Sequence, residues 1–410
     1  MSEPARVKVS TASGGRSRQP TTEERPGLWW LLPLALATFA VGTDNFVIAG
    51  LLPAIAGDLH VSVAAAGQLV TFFALTFALS ASVLGAALSG LNRRTALLLA
   101  LGLFVVGNVA TALATDYTWV LIFRVLTAVG AGTITSTASG TAVALTPEAR
   151  RGWVMSIVLG GLSAATAIGL PLGTLVGGVD WRLTLYGVAG LGLVAMAGIA
   201  LRLPPVVLPA VRLRVRLAPL AHGWTVAVLV TTVLLFSGTY TLYTYLAPAV
   251  ASVTLGSVAT LTVVLLLFGL GCLTGTLVSG RLSDRFQPER VVTVNLVASL
   301  VLLLLGPWAT AHLASTLVWV AVWGAVASAS TVPQQHLLVR SSPASAPVLL
   351  GLNSSAIYLG ICLGGAVGGL GLRVVEPDHL EWPAAILTAL ALLLTLARRR
   401  TTAPAELSAG

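Results

Sequence analysis

The chain has 410 residues; 56% are hydrophobic, 9% are charged, and the mean hydropathy is +0.93. Soluble chains carry about 25% charged residues and disordered chains are polar, so both classes are excluded and a multi-spanning membrane protein remains. The net charge of +9 comes from bases scattered between apolar runs without a nucleic-acid-binding motif, which excludes nucleic acid as a partner. Those runs are long and continuous, whereas membrane β-barrels use short alternating segments. The expected fold class is therefore all-α integral membrane.

Residues 1–27 are rich in Ser, Thr, Pro and Arg and read as a disordered tail with no signal-peptide core. Twelve apolar runs follow, at 28–54, 63–89, 95–115, 118–145, 152–178, 183–203, 223–250, 256–280, 290–310, 313–336, 346–371 and 383–397. Their lengths suit helices crossing a bilayer, which takes about 20 residues. The longest linker, 204–222, carries Arg212, Arg214 and Arg216. It divides an N-terminal six-helix bundle, 28–203, from a C-terminal one, 223–397, with a short tail at 398–410.

With the N-terminus inside, about 20 bases fall on the inner side and only Arg182 and Arg373 on the outer side. The positive-inside rule then makes both termini cytoplasmic. Trp29, Trp30, Trp119 and Trp382 sit at run ends and read as interfacial anchors. Cys272 and Cys362 lie inside apolar runs without metal-ligand spacing and read as packing residues.

The halves repeat. Pro53-Ala54-Ile55-Ala56 ends the first run, and Pro248-Ala249-Val250-Ala251 ends the seventh, 195 positions later. Gly85 and Gly280, Gly169 and Gly364, and Gly173 and Gly368 match at the same offset. Two pseudo-symmetric six-helix bundles are the plan of an alternating-access transporter, with the substrate site between them.

Small residues recur every four positions: Gly169, Gly173 and Gly177 in the fifth run; Gly360, Gly364 and Gly368 in the eleventh; Gly271, Gly275 and Ser279 in the eighth; Ala74, Ala78, Ser82, Ala86 and Gly90 in the second. Such stripes let backbones approach closely, as generic packing or as sliding faces between the halves. Pro171 removes a backbone bond mid-run, so a kink is expected there.

Thirteen of the 14 acids fall in tails and loops, Glu381 among them, leaving Asp44 inside the first run. Apart from Arg202 and Arg290 at run ends, Arg124 is the one base within a run. An intramembrane charge costs a few kcal/mol and is a functional candidate by default. With the first helix ending near Pro53, Asp44 lies in the outer half of the membrane, at a depth compatible with Arg124. The two are expected to face one polar cavity and pair. A carboxylate poised between burial and a neighbouring Arg can take up and release protons; the alternatives are a static ion pair or an Asp solvated at the outer mouth. Asn45, Gln68, Tyr240, Tyr243, Asn353 and Tyr358 are candidates for lining the cavity, the alternative being interhelical hydrogen bonds.

Gly42-Thr43-Asp44-Asn45-Phe46-Val47-Ile48-Ala49-Gly50-Leu51-Leu52-Pro53 resembles the first-helix signature of one branch of the major facilitator superfamily. That branch is the bacterial arabinose, sugar and chloramphenicol efflux proteins, within the twelve-helix drug:proton antiporter-1 family. Many relatives place Glu directly before the Phe; here Asn45 holds that position and the acid is Asp44. Arg124, followed by Gly130 and Gly132, resembles the superfamily's fourth-helix motif, whose Arg is associated with proton coupling. Gly169-Leu170-Pro171-Leu172-Gly173 resembles a shortened fifth-helix antiporter motif. The loop that latches the inner side in the family survives in the first half as Gly85, Arg93 and Arg94, with Ser89 and Gly90 in its Asp-Arg places. The second half keeps Gly280, Leu282, Asp284, Arg285 and Arg290.

The resemblance implies a secondary transporter in the bacterial cytoplasmic membrane, exporting a small organic molecule in exchange for protons. Drug-like or antibiotic-like compounds lead, with sugars or nucleosides second. The alternatives are a proton symporter, an uncoupled facilitator or a transporter-like sensor. The expected partners are the small-molecule substrate, protons and the lipid bilayer, and the expected state is a monomer. The lone lysine, Lys8, lies in the tail, so there is no phosphate-binding loop. No metal, cofactor or hydrolase signature appears, so the chain is not expected to be an enzyme.

Overall fold

A computed structural model describes residues 28–87, 90–147, 150–207, 218–342 and 345–406, without the side chains of 28, 85–87, 347 and 399–406. The expected tail at 1–27, Ser89, and the arginines of the linker, Arg212, Arg214 and Arg216, lie outside the described residues.

Among the described residues, twelve helices are long and apolar enough to cross a membrane. They are α1 (Leu31–Asp58), α2 (Val63–Ala87), α3 (Arg93–Leu113), α4 (Tyr117–Ala144), α5 (Arg151–Gly177) and α6 (Trp181–Arg202) in the first half. The second half holds α7 (Gly223–Tyr243), α8 (Val258–Arg285), α9 (Pro288–Ala309), α10 (Leu313–Ser341), α11 (Ala346–Gly371) and α12 (Glu381–Glu406). The start of α1 and the end of α12 share one face of the bundle, termed here the terminal face; α1 ends and α2 begins at the far face.

The helix ends follow from local chemistry. The side chains of Asn92, Asp180 and Ser257 accept from the backbone N–H groups of Arg94, Arg182 and Thr260, capping α3, α6 and α8. Proline acts more subtly than its position in the sequence implies. Pro53 does not end α1, which runs on to Asp58. Its missing N–H costs one bond in a helix otherwise buried against its neighbours. Pro171 has no N–H for the Ala167 carbonyl, and the turn before it, Ala165–Gly169, is a π-turn in which Leu170 N–H reaches Ala165 O. Pro333 likewise cannot serve Ala329, and α10 breaks at Ser330. The tail expected from 398 is still helical as far as Glu406.

Lipid gives no hydrophobic drive between helices, so close packing and satisfied polar groups hold them together. Thr and Ser hydroxyls bond back to carbonyls one turn earlier, as Thr174 does to Leu170 O at 2.9 Å. The stripes pack mostly within each half rather than between halves. Gly169, Gly173 and Gly177 of α5 face Thr43, Val47 and Leu51 of α1; Gly360, Gly364 and Gly368 of α11 face α7; Gly271 and Gly275 of α8 face α10. The Gly169–Thr43 and Gly364–Ser237 contacts stand near the repeat offset, so the duplication is visible in the packing. The halves meet along α2 against α11 and α5 against α8. There the α2 stripe does face the other half, with Ser82 Oγ 2.6 Å from Ser355 Oγ. At the far face the Tyr245 ring is wedged between Gly67 of α2 and Gly369 of α11, where a Cβ would collide with it. The outer surface is apolar, with Leu201 and Val179 each 84% exposed. Trp29, Trp119 and Trp382 are exposed as expected of anchors, but Trp30 is buried in the core.

Candidate functional site

Because α1 continues to Asp58, Asp44 stands midway along it, about 20 Å from either end, and not nearer the far-face end as the apolar run implies. Arg124, in the second turn of α4, reaches it. Arg124 Nη1 donates to Asp44 Oδ1 at 2.6 Å, and Nη2 reaches the Asp44 backbone oxygen at 3.4 Å. The side chains are 0% and 1% exposed, so this is a fully buried ion pair. The guanidinium also lies 4.3 Å from the centroid of the Phe73 ring on α2, whose negative face favours the cation.

The polar groups here are not all satisfied. Asp44 Oδ2, Arg124 Nε and both amide atoms of Asn45 are buried without a hydrogen-bond partner among the described residues. Orphaned buried polar atoms are costly unless a ligand, ion or water serves them. The π-turn of α5 backs the site: a Cβ on Gly42 would meet Ala165 at 2.7 Å, and Gly169 faces Thr43.

Aromatic side chains carry the site into the second half. Phe77, one turn after Phe73, stacks on Tyr358 of α11 with centroids 3.6 Å apart. Tyr243 Oη reaches the Phe46 carbonyl of α1 at 3.4 Å. Its ring contacts Tyr240 edge-on at 5.2 Å and stacks on Phe268 of α8 at 4.7 Å. Phe268 leads to Trp323 and Trp319 of α10 at 4.9 and 5.3 Å in turn.

The structure thus brings together Asp44, Asn45, Arg124 and Tyr243, with Tyr240 and Tyr358 on adjoining rings. Gln68 stands apart, near the far face beside Gly369, with Nε2 on Ala64 O. Asn353 also stands apart, on Thr232 within the second half at 3.2 Å. Sequence reasoning missed Phe73, Phe77, Phe268, Trp319 and Trp323. The pairs at 73/77 and 319/323 are spaced one helical turn apart, a usable signal. It also misplaced Glu381, which is 2% exposed at the start of α12 with its side chain over Gly306. The short turn Pro377–His379 brings the chain into the bundle earlier than the apolar run implies.

The loop residues sit at the terminal face. Arg93 is buried, its N–H on Val206 O at 2.7 Å, and Arg94 Nη2 donates to Ala200 O, so both tie α3 to the end of α6. Gly85 lies in α2. Asp284, Arg285 and Arg290 are exposed, and Gly280 meets open space. Among the described residues, the ion pair at this face is Arg340–Glu289 at 3.8 Å, and no group of His, Cys, Asp or Glu is arranged to hold a metal ion.

Twelve membrane-length helices in two six-helix halves, with a buried ion pair between α1 and α4 of the first, fit the plan of a membrane transporter. The Major Facilitator Superfamily model matches residues 34–365 and 228–409. The inner membrane transport protein YdhP of Escherichia coli (strain K12) is 31% identical over 373 residues, covering 90% of this chain and 96% of the relative. A chloramphenicol resistance protein of Streptomyces lividans is 32% identical over 395 residues, covering 91% and 97%. A bacterial homologue of the human lysosomal transporter Spinster, solved in an inward-facing, occupied conformation, superposes with a TM-score of 0.73 at 18% identity, covering 92% and 98%.

The chain belongs to the major facilitator superfamily. It is a multi-pass bacterial membrane transporter of small solutes, not an enzyme.

Proposed function

We propose that this protein exports a small organic compound across the cytoplasmic membrane in exchange for protons, by alternating access. The observation that carries this is the buried Asp44–Arg124 pair with Asp44 Oδ2 unserved. A carboxylate at mid-membrane, with one oxygen held by Arg124 and one open, has a place for a proton. In the proposed cycle Asp44 takes up a proton from the outer side and releases it to the cytoplasm as the halves exchange access. The cargo travels the other way. The excess of arginines at the terminal face supports cytoplasmic termini. The likeness to a chloramphenicol resistance protein supports a drug-like cargo. The aromatic rings between the halves suit a cargo with an apolar or planar part. The loop resemblance supports a latching role for the exposed Asp284 and Arg285 when the terminal face closes.

The test is transport in proteoliposomes under an imposed pH gradient, over a panel of chemically diverse compounds. Asp44→Asn is expected to abolish gradient-driven flux while leaving substrate counterflow. Gradient-driven flux unchanged in that variant would sink the proton role.

A further inference from the structure

We propose that Tyr243 is the positioning residue through which the second half senses the charge state of Asp44. This rests on the proton-coupling role of Asp44 given above. Asp44 and Phe46 are two residues apart on α1, which turns their carbonyls about 200° around the helix. Arg124 of α4 holds the Asp44 carbonyl from one side; Tyr243 of α7 holds the Phe46 carbonyl from the other. One turn of α1 is therefore gripped by its own half and by the opposite half.

The contacts that do this are shielded from water: Asp44 is 0%, Arg124 1% and Tyr243 2% exposed. At 3.4 Å both contacts are long for hydrogen bonds, but in surroundings this dry even a long contact is costly to lose. Helix α7 also ends at Tyr243, and the chain re-forms a short helical piece only at Leu246–Ala249. The buried Thr244 hydroxyl between them has no partner among the described residues. Tyr243 thus sits at a joint, not in the middle of a rigid rod. Its ring stacks on Phe268, which packs on Trp323. A shift of this turn of α1 would move the Tyr243 hydroxyl contact, and with it the rings of α8 and α10. Protonation of Asp44 supplies the shift, because it cancels the charge that Arg124 attracts. Tyr240, one turn earlier, contacts Tyr243 by its ring alone and serves as the control.

The experiment compares wild type, Tyr243→Phe, Tyr240→Phe and Asp44→Asn in proteoliposomes, measuring gradient-driven flux and counterflow of the same substrate. Tyr243→Phe keeps the ring stack and removes only the hydroxyl. In this variant the ratio of gradient-driven flux to counterflow is expected to fall at least about tenfold and to lose its pH dependence. Tyr240→Phe is expected to keep the wild-type ratio. If Asp44→Asn uncouples flux but Tyr243→Phe keeps the wild-type ratio and pH profile, this inference is wrong and the role of Asp44 stands. If Tyr243→Phe loses counterflow in equal measure, the hydroxyl serves substrate binding or packing, and the inference is again wrong. If Asp44→Asn changes nothing, both fall together.

Discussion

The Ser82 and Ser355 hydroxyls lie 2.6 Å apart across the seam between α2 and α11. Side chains that meet so closely from opposite halves are positioned for a disulfide. In a background with Cys272→Ala and Cys362→Ala, the pair Ser82→Cys and Ser355→Cys is expected to cross-link on oxidation and stop transport, with recovery on reduction. Full transport by the oxidised protein would show that this seam stays closed throughout the cycle.

Breaking the ion pair from one side differs from removing it. Arg124→Gln leaves a buried, unpaired carboxylate, with an expected loss of about 3–5 kcal/mol. Adding Asp44→Asn removes that stranded charge and is expected to restore much of the loss. Thermal unfolding in detergent of the two single variants and the double variant gives the coupling. Strictly additive losses would mean that the pair contributes nothing as a unit.

Phe73 is expected to contribute through the Arg124 cation. Phe73→Leu keeps apolar bulk and gives up the ring face, worth about 0.5–2 kcal/mol. The loss should shrink when the same change is made on Arg124→Gln. An equal loss in both backgrounds would assign Phe73 to packing alone.

Glycine positions divide cleanly by what surrounds them. A Cβ on Gly130 would lie 2.7 Å from Ala100 O and 2.9 Å from Phe104 N, so Gly130→Ala must push α3 and α4 apart. A loss of about 1–3 kcal/mol is expected. Gly102 has nothing within 4 Å, and Gly102→Ala should be neutral or stabilising, by up to about 1 kcal/mol. Comparable melting temperatures for the two variants would contradict the close α3–α4 approach.

Much of the site was legible because charge is so rare inside the runs. Asp44 and Arg124 stood out for that reason alone. Glu381 escaped because it is the first residue of its helix, where an apolar window does not yet register. Gln68 and Asn353 were singled out as polar residues in apolar runs, but polarity does not say which neighbour a helix face meets. Phe73 and Trp323 escaped because aromatics in a membrane span look like any other apolar filler unless their one-turn spacing to Phe77 and Trp319 is read.

What the sequence determined by itself was the solvent and the plan. Composition required a bilayer, run lengths required helices, and the 195-residue repeat required two halves. These properties are local or periodic, so they survive without coordinates. What only the tertiary structure decided was register: that α1 passes Pro53 and centres Asp44, that the glycine stripes pack within each half, and that Tyr243 touches α1. Those outcomes depend on how far each helix slides and turns against its neighbours. In lipid, close packing and hydrogen bonds set that register, and neither is written in the pattern of apolar residues.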